Sequence, residues 1–168
     1  LKLRKTLLPE NVVAVVDTRE QRPFDLSPLK TTLGTLATGD YSLAGLTNQV
    51  AIERKSLADL IGCVGAERER FDREVQRLLG YPTRAIVVEA SWRDIEAGQW
   101  RSRVTPQSAI GSLLGWIATG IPVVMAGDRL KAQQYVARLL LITARRRWRE
   151  LATFAENSIC LLKATDAQ

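Results

Sequence analysis

The chain of 168 residues is 46% hydrophobic and 25% charged, a composition that predicts a globular domain with a full hydrophobic core. It has 24 Lys and Arg against 18 Asp and Glu, a net charge of +6, and 18 of the 24 cations are arginine, whose planar guanidinium suits phosphate and favours a nucleic-acid partner. The absence of histidine excludes Ser-His-Asp triads and His-based zinc sites.

Apolar and β-branched segments predict the strands. The first, at 12–16, is a continuous run of valine and alanine that ends at Asp17, which is typical of a strand buried on both faces. Segments 41–43 and 49–55 flank the turn-forming residues 45–48, so together they predict a β-hairpin. Further strands are predicted at 31–37, 84–89 and 121–125.

Helix signals lie between and after these strands. Ser56 is a suitable N-cap for a short helix that ends near Cys63, and a charged helix at 66–79 ends at Gly80. Thr105 precedes an apolar helix that reaches 119, and Asp128 caps a long helix to about 154, followed by a frayed tail. The pattern predicts a three-layer α/β domain with a mixed central sheet. We expect one domain for residues 1–168, with its core at about 12–154.

The two cysteines, Cys63 and Cys160, cannot build a zinc site alone, and we expect buried thiols of a reducing compartment. No segment reaches the roughly 18 uninterrupted apolar residues of a membrane span, so we expect no membrane partner and no signal peptide. The expected location is cytoplasmic, in a bacterial or phage protein associated with DNA, or nuclear for a eukaryotic protein.

The predicted hairpin brings charged side chains together. If its turn centres between residues 46 and 47, Asp40 lies opposite Glu53, with the two Cβ atoms about 5 Å apart. Because side chains alternate along a strand, Lys55 shares the face of Glu53, whereas Arg54 faces away. This register predicts a cluster of three candidate catalytic residues, Asp40, Glu53 and Lys55.

Two carboxylates at that distance repel each other by about 3 kcal/mol at an effective dielectric constant near 20. A divalent cation would turn this repulsion into a binding site, and without histidine it must be held by oxygen, which indicates Mg²⁺ or Mn²⁺. Asp17 follows the first buried strand and Glu20 is close in sequence, so the candidate ligands are Asp17, Glu20, Asp40 and Glu53. Lys55 would orient the attacking water or stabilise charge in the transition state.

Alternative interpretations stay open for several of these segments. Glu53 to Lys55 alone are typical of a solvated strand end, with Asp59 in a helical turn. The run of arginines at 145–149 fits a phosphate-binding stripe and equally a solvated helix end. The apolar helices at 106–119 and 128–154 fit a partner surface and equally ordinary core packing.

Four segments together resemble the nuclease domain of the XPF-type structure-specific endonucleases. They are Val16-Asp17-Thr18-Arg19-Glu20, Gly39-Asp40-Tyr41, Ile52-Glu53-Arg54-Lys55-Ser56-Leu57-Ala58-Asp59 and Arg70-Phe71. The hallmark of that family is Gly-Asp, followed at a variable distance by Glu-Arg-Lys-x-x-x-Asp. The resemblance implies a restriction-endonuclease-like fold and Mg²⁺- or Mn²⁺-dependent hydrolysis of phosphodiester bonds in branched, flap or fork DNA, in repair or recombination.

The resemblance also implies roles for individual residues. Asp17, Glu20, Asp40 and Glu53 would form the acidic metal site, and Lys55 would be the catalytic lysine. Supporting or phosphate-contacting positions would be held by Arg19, Arg54, Asp59 and Arg70. A homodimer or heterodimer through the C-terminal helices is implied as well.

Typical members of that family follow the nuclease domain with a tandem helix-hairpin-helix domain, and some carry a helicase; we expect neither in this chain. Two other functions therefore stay open. One is a catalytically silent subunit that binds DNA or acts as a scaffold in a nuclease complex. The other is a restriction or recombination nuclease with a different substrate, because fold and site chemistry are shared among such enzymes.

Overall fold

The computed structural model of the chain describes residues 6–165, with the side chains of residues 6–158. The strands are β1 (Val13–Asp17), β2 (Lys30–Gly34), β3 (Tyr41–Leu43), β4 (Val50–Lys55), β5 (Thr83–Val88) and β6 (Val123–Met125). The helices are α1 (Leu57–Val64), α2 (Arg68–Leu79), α3 (Trp92–Ala97), α4 (Pro106–Ala118) and α5 (Arg129–Thr165), and a 3-10 turn at Pro9–Asn11 precedes β1.

The strands form one mixed sheet in the order β2-β1-β3-β4-β5-β6. β3 runs antiparallel to both of its neighbours, β1 and β4, whereas β2 is parallel to β1, and β5 and β6 are parallel to β4. The carboxyl ends of β1, β4 and β5 consequently lie at the same edge of the sheet. Ligands of α/β proteins bind at this kind of edge.

Each face of the sheet is covered by its own hydrophobic core. α5 covers one face through Ala132, Val136 and Leu140, which are buried and four residues apart, so they form one stripe of the helix. The four shorter helices cover the other face, where Phe71 of α2 and Leu113 of α4 are completely buried. The predicted three-layer α/β fold with a mixed central sheet is therefore confirmed.

The N-cap residues expected from the sequence start their helices. The Asp59 N–H donates to Ser56 Oγ (3.1 Å), the Ser108 N–H donates to Thr105 Oγ1 (3.2 Å), and the Lys131 N–H donates to Asp128 Oδ1 (2.8 Å). Each contact satisfies one of the N–H groups that a helix leaves without an internal partner. α1, α4 and α5 therefore begin where the sequence predicts.

Two predicted strands differ from the structure. The second strand ends at Gly34 rather than at 37, because the Leu36 N–H turns inward and donates to Asp17 Oδ2 (2.7 Å). The last strand, predicted as a core strand at 121–125, is a half-buried edge strand at Val123–Met125, since β5 is its single neighbour in the described sheet.

Two helices differ as well. The predicted frayed tail after 154 is wrong for residues 155–165, which continue α5 without a Gly or Pro to end it. α3 was not predicted, although its signal is present: the Asp94 N–H donates to Ser91 Oγ, and the Ser91 N–H donates to Asp94 Oδ2. This reciprocal pair is a capping box, which marks a helix start in sequence.

Cys63 is buried, as predicted, whereas the side chain of Cys160 lies outside the described residues. Burial raises the pKa of the Cys63 thiol to about 11, so this group stays protonated at neutral pH. Within residues 6–165, none of the helices combines the length and apolar character needed to cross a membrane.

Candidate active site

Backbone hydrogen bonds connect the predicted site residues across the sheet. The Asp17 N–H donates to the Asp40 carbonyl, the Asp40 N–H donates to the Ile52 carbonyl, and the Glu89 N–H donates to the Lys55 carbonyl, each at 2.8 Å. Four neighbouring strands are thus joined at one edge. The positions of the side chains at this edge are fixed by the sheet itself.

The hairpin register expected from the sequence is the register observed. Tyr41 of β3 is paired with Ile52 of β4, which places Asp40 opposite Glu53. The Arg54 N–H donates to Asp40 Oδ2 at 2.8 Å, so the Asp40 carboxylate is tied to the neighbouring strand. The Asp, Glu and Lys of the predicted cluster are therefore brought to the same end of the sheet.

Gly39 allows β3 to approach β4 this closely. Its φ is +79°, in the left-handed region that favours glycine. A Cβ atom built at Gly39 would lie 3.0 Å from the carbonyl oxygen of Ile52 and 3.2 Å from its nitrogen. Glycine is needed here both for the backbone angle and for the contact between the strands.

A cleft of about 360 Å³ opens at this edge. Seven of the predicted site residues line it: Arg19, Glu20, Asp40, Glu53, Arg54, Lys55 and Asp59. Asp17 and Arg70 do not line it. The cleft has room for an ion with its water molecules and faces solvent, as a site for a polymer backbone requires.

Glu53 and Lys55 form a buried ion pair between Oε1 and Nζ. The Lys55 ammonium also lies over the ring of Phe71, 4.7 Å from its centroid. Burial and then the charge of Asp40 raise the pKa of Glu53 to about 8. Burial lowers the pKa of Lys55, but the attraction of Glu53 outweighs burial and the pKa is raised. The pair therefore keeps its protons to a higher pH than exposed side chains would.

Asp40 is the second acidic group that faces the cleft. Burial raises its pKa to about 6, against the lowering effect of the hydrogen bond from Arg54. The charges of Glu20 and Glu74 also raise the pKa of Asp40, and the charge of Asp40 raises the pKa of Glu53, because like charges at close range disfavour ionisation. Two carboxylates with raised pKa values in one cleft are a frequent property of functional sites.

Asp17 has a structural role in the observed arrangement. Its Oδ1 accepts from the Arg19 backbone N–H (2.8 Å) and Nε (2.7 Å), and its Oδ2 accepts from Arg19 Nη2 (3.0 Å) and the Leu36 N–H (2.7 Å). Burial opposes the charge, but these four donors outweigh it and lower the pKa of Asp17. Its observed action is to hold Arg19, whose side chain is 67% exposed at the cleft. Direct metal binding by Asp17 stays a prediction.

Arg54 stays a predicted supporting residue; it lines the cleft and contacts two acidic side chains. Its Nε donates to Glu89 Oε1 (2.7 Å), and its Nη1 lies 3.6 Å from Glu20 Oε1. Glu20 Oε1 also accepts from the Arg22 N–H at 2.7 Å. Glu89 was not among the predicted site residues. Its position directly after β5, at the edge where β1 and β4 also end, is the sequence signal that points to it.

The two remaining predicted residues lie on helices. Asp59 is at the cleft, and its Oδ2 accepts from Ser56 Oγ (2.7 Å), so it completes the cap of α1. Arg70 is exposed on α2 and forms an ion pair with Glu67. A contact of Arg70 with a phosphate stays a prediction.

Three arginines of the run at 145–149 have partners within the chain. Arg145 Nε donates to the Leu7 carbonyl (3.1 Å), and Arg146 and Arg147 both pair with Glu150. These contacts are ordinary for a helix surface and favour a structural interpretation over a phosphate-binding stripe, but the run lies inside α5 and not at the helix end that the sequence suggested.

The donor set suits a hard cation. Among residues 6–158, no group of three or more His, Cys, Asp and Glu side chains is arranged to hold a metal ion. Mg²⁺, however, is commonly bound through one or two carboxylates, with water and phosphate oxygens as its other ligands. Asp40 and Glu53 line a cleft that is open to solvent and meet that requirement, and Glu20 lies at the same cleft.

Comparisons with known proteins agree with this description. A model of the ERCC4 domain matches residues 16–139. A structure of XPF from Aeropyrum pernix is similar, with a TM-score of 0.63, 23% identity, and coverage of 79% of this chain and 62% of that chain. A structure of XPF from Aeropyrum pernix in complex with DNA gives a TM-score of 0.58 and 22% identity, with coverage of 81% and 66%.

This chain thus spans less than two thirds of either XPF chain, and at these identities the likeness shows the fold. No curated protein sequence gives a significant match. The predicted XPF-type resemblance is confirmed by the domain match, which covers most of the sequence. The chain belongs to the ERCC4 domain family.

Proposed function

We propose that this protein is a DNA endonuclease that hydrolyses phosphodiester bonds with the help of Mg²⁺ or Mn²⁺. The observation that carries the proposal is the convergence of Asp40, Glu53 and Lys55 in one cleft of an ERCC4 domain. Asp40 and Glu53 would hold the cation. When bound, the cation would polarise a phosphoryl oxygen and make a bound water more acidic.

Lys55 contributes a fixed positive charge to this reaction. Its raised pKa keeps the ammonium protonated at neutral pH, so it stabilises negative charge and does not act as a base. The contacts with Glu53 and the Phe71 ring hold Nζ at the cleft. The attacking water oxygen forms a bond to phosphorus and its proton passes to solvent, while the bond from phosphorus to one ester oxygen breaks and that oxygen leaves as a hydroxyl after it takes a proton from solvent. Lys55 faces the charge that develops on the phosphoryl oxygens.

The proposed substrate is DNA, with branched, flap or fork DNA as the preferred form and repair or recombination as the process. The support is the excess of arginine, the exposed Arg19 guanidinium at the cleft, and the fold shared with an XPF that binds DNA. Flap and fork structures expose single strands, whose backbone is more flexible than a duplex and can follow a positively charged groove.

The decisive experiment uses the purified protein with Mg²⁺ or Mn²⁺ and a panel of duplex, flap, fork and four-way-junction DNA. Cleavage that requires the metal, stops with a chelator and is lost in Asp40→Ala and Glu53→Ala would support the proposal. DNA binding, measured in parallel, should persist in both variants. Undiminished cleavage by either variant would refute the site. Binding without hydrolysis by the unaltered protein would instead indicate a silent subunit.

Metal binding should depend on pH. The cation requires deprotonated Asp40 and Glu53, whose pKa values are raised to about 6 and about 8. Protons therefore compete with the cation at acidic pH, and affinity for Mn²⁺ should rise with pH, up to about tenfold per unit for each proton released. Calorimetric titrations with Mn²⁺ between pH 5.5 and 8.5, in two buffers of different ionisation enthalpy, would measure the affinity and the proton release. A constant affinity across this range would contradict the assignment.

We also propose that the chain forms a homodimer or heterodimer through its C-terminal helices. The support is a series of large apolar side chains on the surface of α5, among them Tyr135 (43% exposed), Ile142 (54%) and Phe154 (70%). The expected result is a dimer in sedimentation equilibrium at micromolar concentration that dissociates in Ile142→Asp. The control is Leu33→Asp, an exposed apolar side chain on the edge strand β2. A monomer at all concentrations would exclude the homodimer.

A further inference from the structure

Arg129 is a positively charged residue at the start of a helix, where positive charge is unfavourable. It is the first residue of α5, where the aligned peptide dipoles create partial positive charge and acidic residues are preferred. A cation there is unfavourable unless another contact offsets it. A residue that breaks a local rule in this way often serves a functional site.

The guanidinium of Arg129 lies near the carboxyl end of β5 and donates to several acceptors. Its Nη1 donates to Glu89 Oε1 at 2.9 Å, and its Nη2 donates to the carbonyls of Arg22 (2.7 Å) and Pro23 (3.1 Å). Its Cζ lies 4.8 Å from the centroid of the Phe24 ring. One side chain thus connects the start of α5, the end of β5 and the loop at 18–29 between β1 and β2.

Glu89 links Arg129 to Arg54 of the candidate active site, because both arginines donate to its carboxylate. The same Oε1 atom accepts from Arg54 Nε at 2.7 Å, and Arg54 Cζ also lies 5.7 Å from the Phe24 ring centroid. The side chains of Arg54 and Glu89 are 9% and 11% exposed, so little water competes for these bonds. Arg54 in turn donates its backbone N–H to Asp40.

The loop that Arg129 binds carries Glu20. Within it the Arg22 N–H donates to Glu20 Oε1, while the Arg22 carbonyl accepts from Arg129. One turn further along α5, Gln133 Oε1 accepts from the Asp25 N–H at 3.0 Å. Arg129 and Gln133, which lie on one face of α5, therefore both hold this loop through hydrogen bonds to its backbone.

We propose that Arg129 is a positioning residue for the nuclease reaction: it holds the Glu20 loop and the Arg54 guanidinium where the cleft requires them. This inference rests on the proposed function. The fork of the guanidinium matters, because Nη1 donates to the Glu89 carboxylate while Nη2 donates to two carbonyls, and the lysine ammonium offers only one nitrogen for these separated acceptors. The side chain acts through Glu89, Arg54 and the loop, without touching the scissile phosphate.

The test compares Arg129→Ala and Arg129→Lys with the control Lys131→Ala, which removes an exposed cation from the same turn of α5. Arg129→Ala should lower kcat about 10- to 100-fold with KM within about twofold, as expected for displaced site groups. Arg129→Lys should recover only a small part of this loss. Hydrogen exchange of the peptide covering residues 17–24, measured by mass spectrometry, should accelerate in Arg129→Ala and remain unchanged in Lys131→Ala.

Each outcome decides the inference. A raised KM with unchanged kcat, or full recovery by Lys, would assign Arg129 to general attraction of DNA and overturn a positioning role. A lower kcat with unchanged loop exchange would overturn it too. If the unaltered protein cleaves no DNA, the proposed function fails. The exchange measurement then still shows whether Arg129 holds the loop, and unchanged exchange would overturn that as well.

Discussion

Replacement of Asp40 by Asn is expected to reduce cleavage of DNA by at least about 1,000-fold, because an amide is a poor ligand for a divalent cation and several kcal/mol of transition-state stabilisation are lost. The substitution preserves the size of the side chain and an oxygen that can accept from the Arg54 N–H. Initial rates with saturating Mn²⁺ measure the loss. Residual activity within tenfold of the unaltered protein would contradict the role of Asp40.

The same substitution should stabilise the metal-free protein. The folded pKa of Asp40 is raised to about 6, so between pH 4 and pH 6 the folded state keeps a proton that the unfolded chain releases, and stability falls as the pH rises. Above pH 6, ionised Asp40 lowers the free energy of unfolding by its full amount. The neutral Asn side chain removes this loss, so the free energy of unfolding should rise by about 1 to 3 kcal/mol at pH 7. We expect a rise in Tm of roughly 3 to 10 °C without metal and no further rise when Mn²⁺ is added.

Asp17→Asn is the matched control, because its carboxylate has a lowered pKa and accepts four N–H bonds. Its Tm at pH 7 should fall, since an amide nitrogen cannot replace an accepting oxygen. Thermal scans at pH 4.5 and pH 7 test the expected rise in Tm for Asp40→Asn and the expected fall in Tm for Asp17→Asn. A lower Tm for Asp40→Asn at pH 7 would show that Asp40 carries no electrostatic strain.

Replacement of Gly39 by Ala is expected to cost about 3 kcal/mol of stability and to remove cleavage. The left-handed backbone accounts for about 1 kcal/mol, and the contact between the new Cβ and the Ile52 backbone for the rest. Relief of that contact requires β3 to move away from β4, which displaces Asp40 from Glu53. Urea unfolding and the cleavage assay measure the two effects.

Gly45→Ala separates these two contributions. Gly45 has the same φ of +79° at the hairpin turn, but a Cβ there meets no atom within 4 Å. This variant should lose only about 1 kcal/mol and keep its activity. Equal losses of stability in the two variants would show that the backbone angle alone is responsible and that the approach of β3 to β4 is relaxed.

The parts of the site that follow local rules were predictable from sequence. The turn residues set the register of the hairpin, which predicts Asp40 opposite Glu53, and strand alternation predicts Lys55 on the same face as Glu53. Strand order was needed for the rest. Glu89 is 35 residues from Arg54 and joins the site because β5 is adjacent to β4. The bond from the Leu36 N–H to Asp17 depends on how the chain turns after β2, which periodicity does not specify.

Three backbone hydrogen bonds hold the strands together at the site: from Asp17 to Asp40, from Asp40 to Ile52 and from Glu89 to Lys55. They use backbone atoms, so they are indifferent to which side chains are present. A lineage could lose Asp40 or Lys55, and with it the proposed ability to cut DNA, while the backbone around the cleft kept its shape and Arg19 and Arg54 kept their positive charges there. The backbone structure of the site therefore does not depend on its catalytic side chains. A relative that bound DNA without cutting it would have the same backbone as an active enzyme.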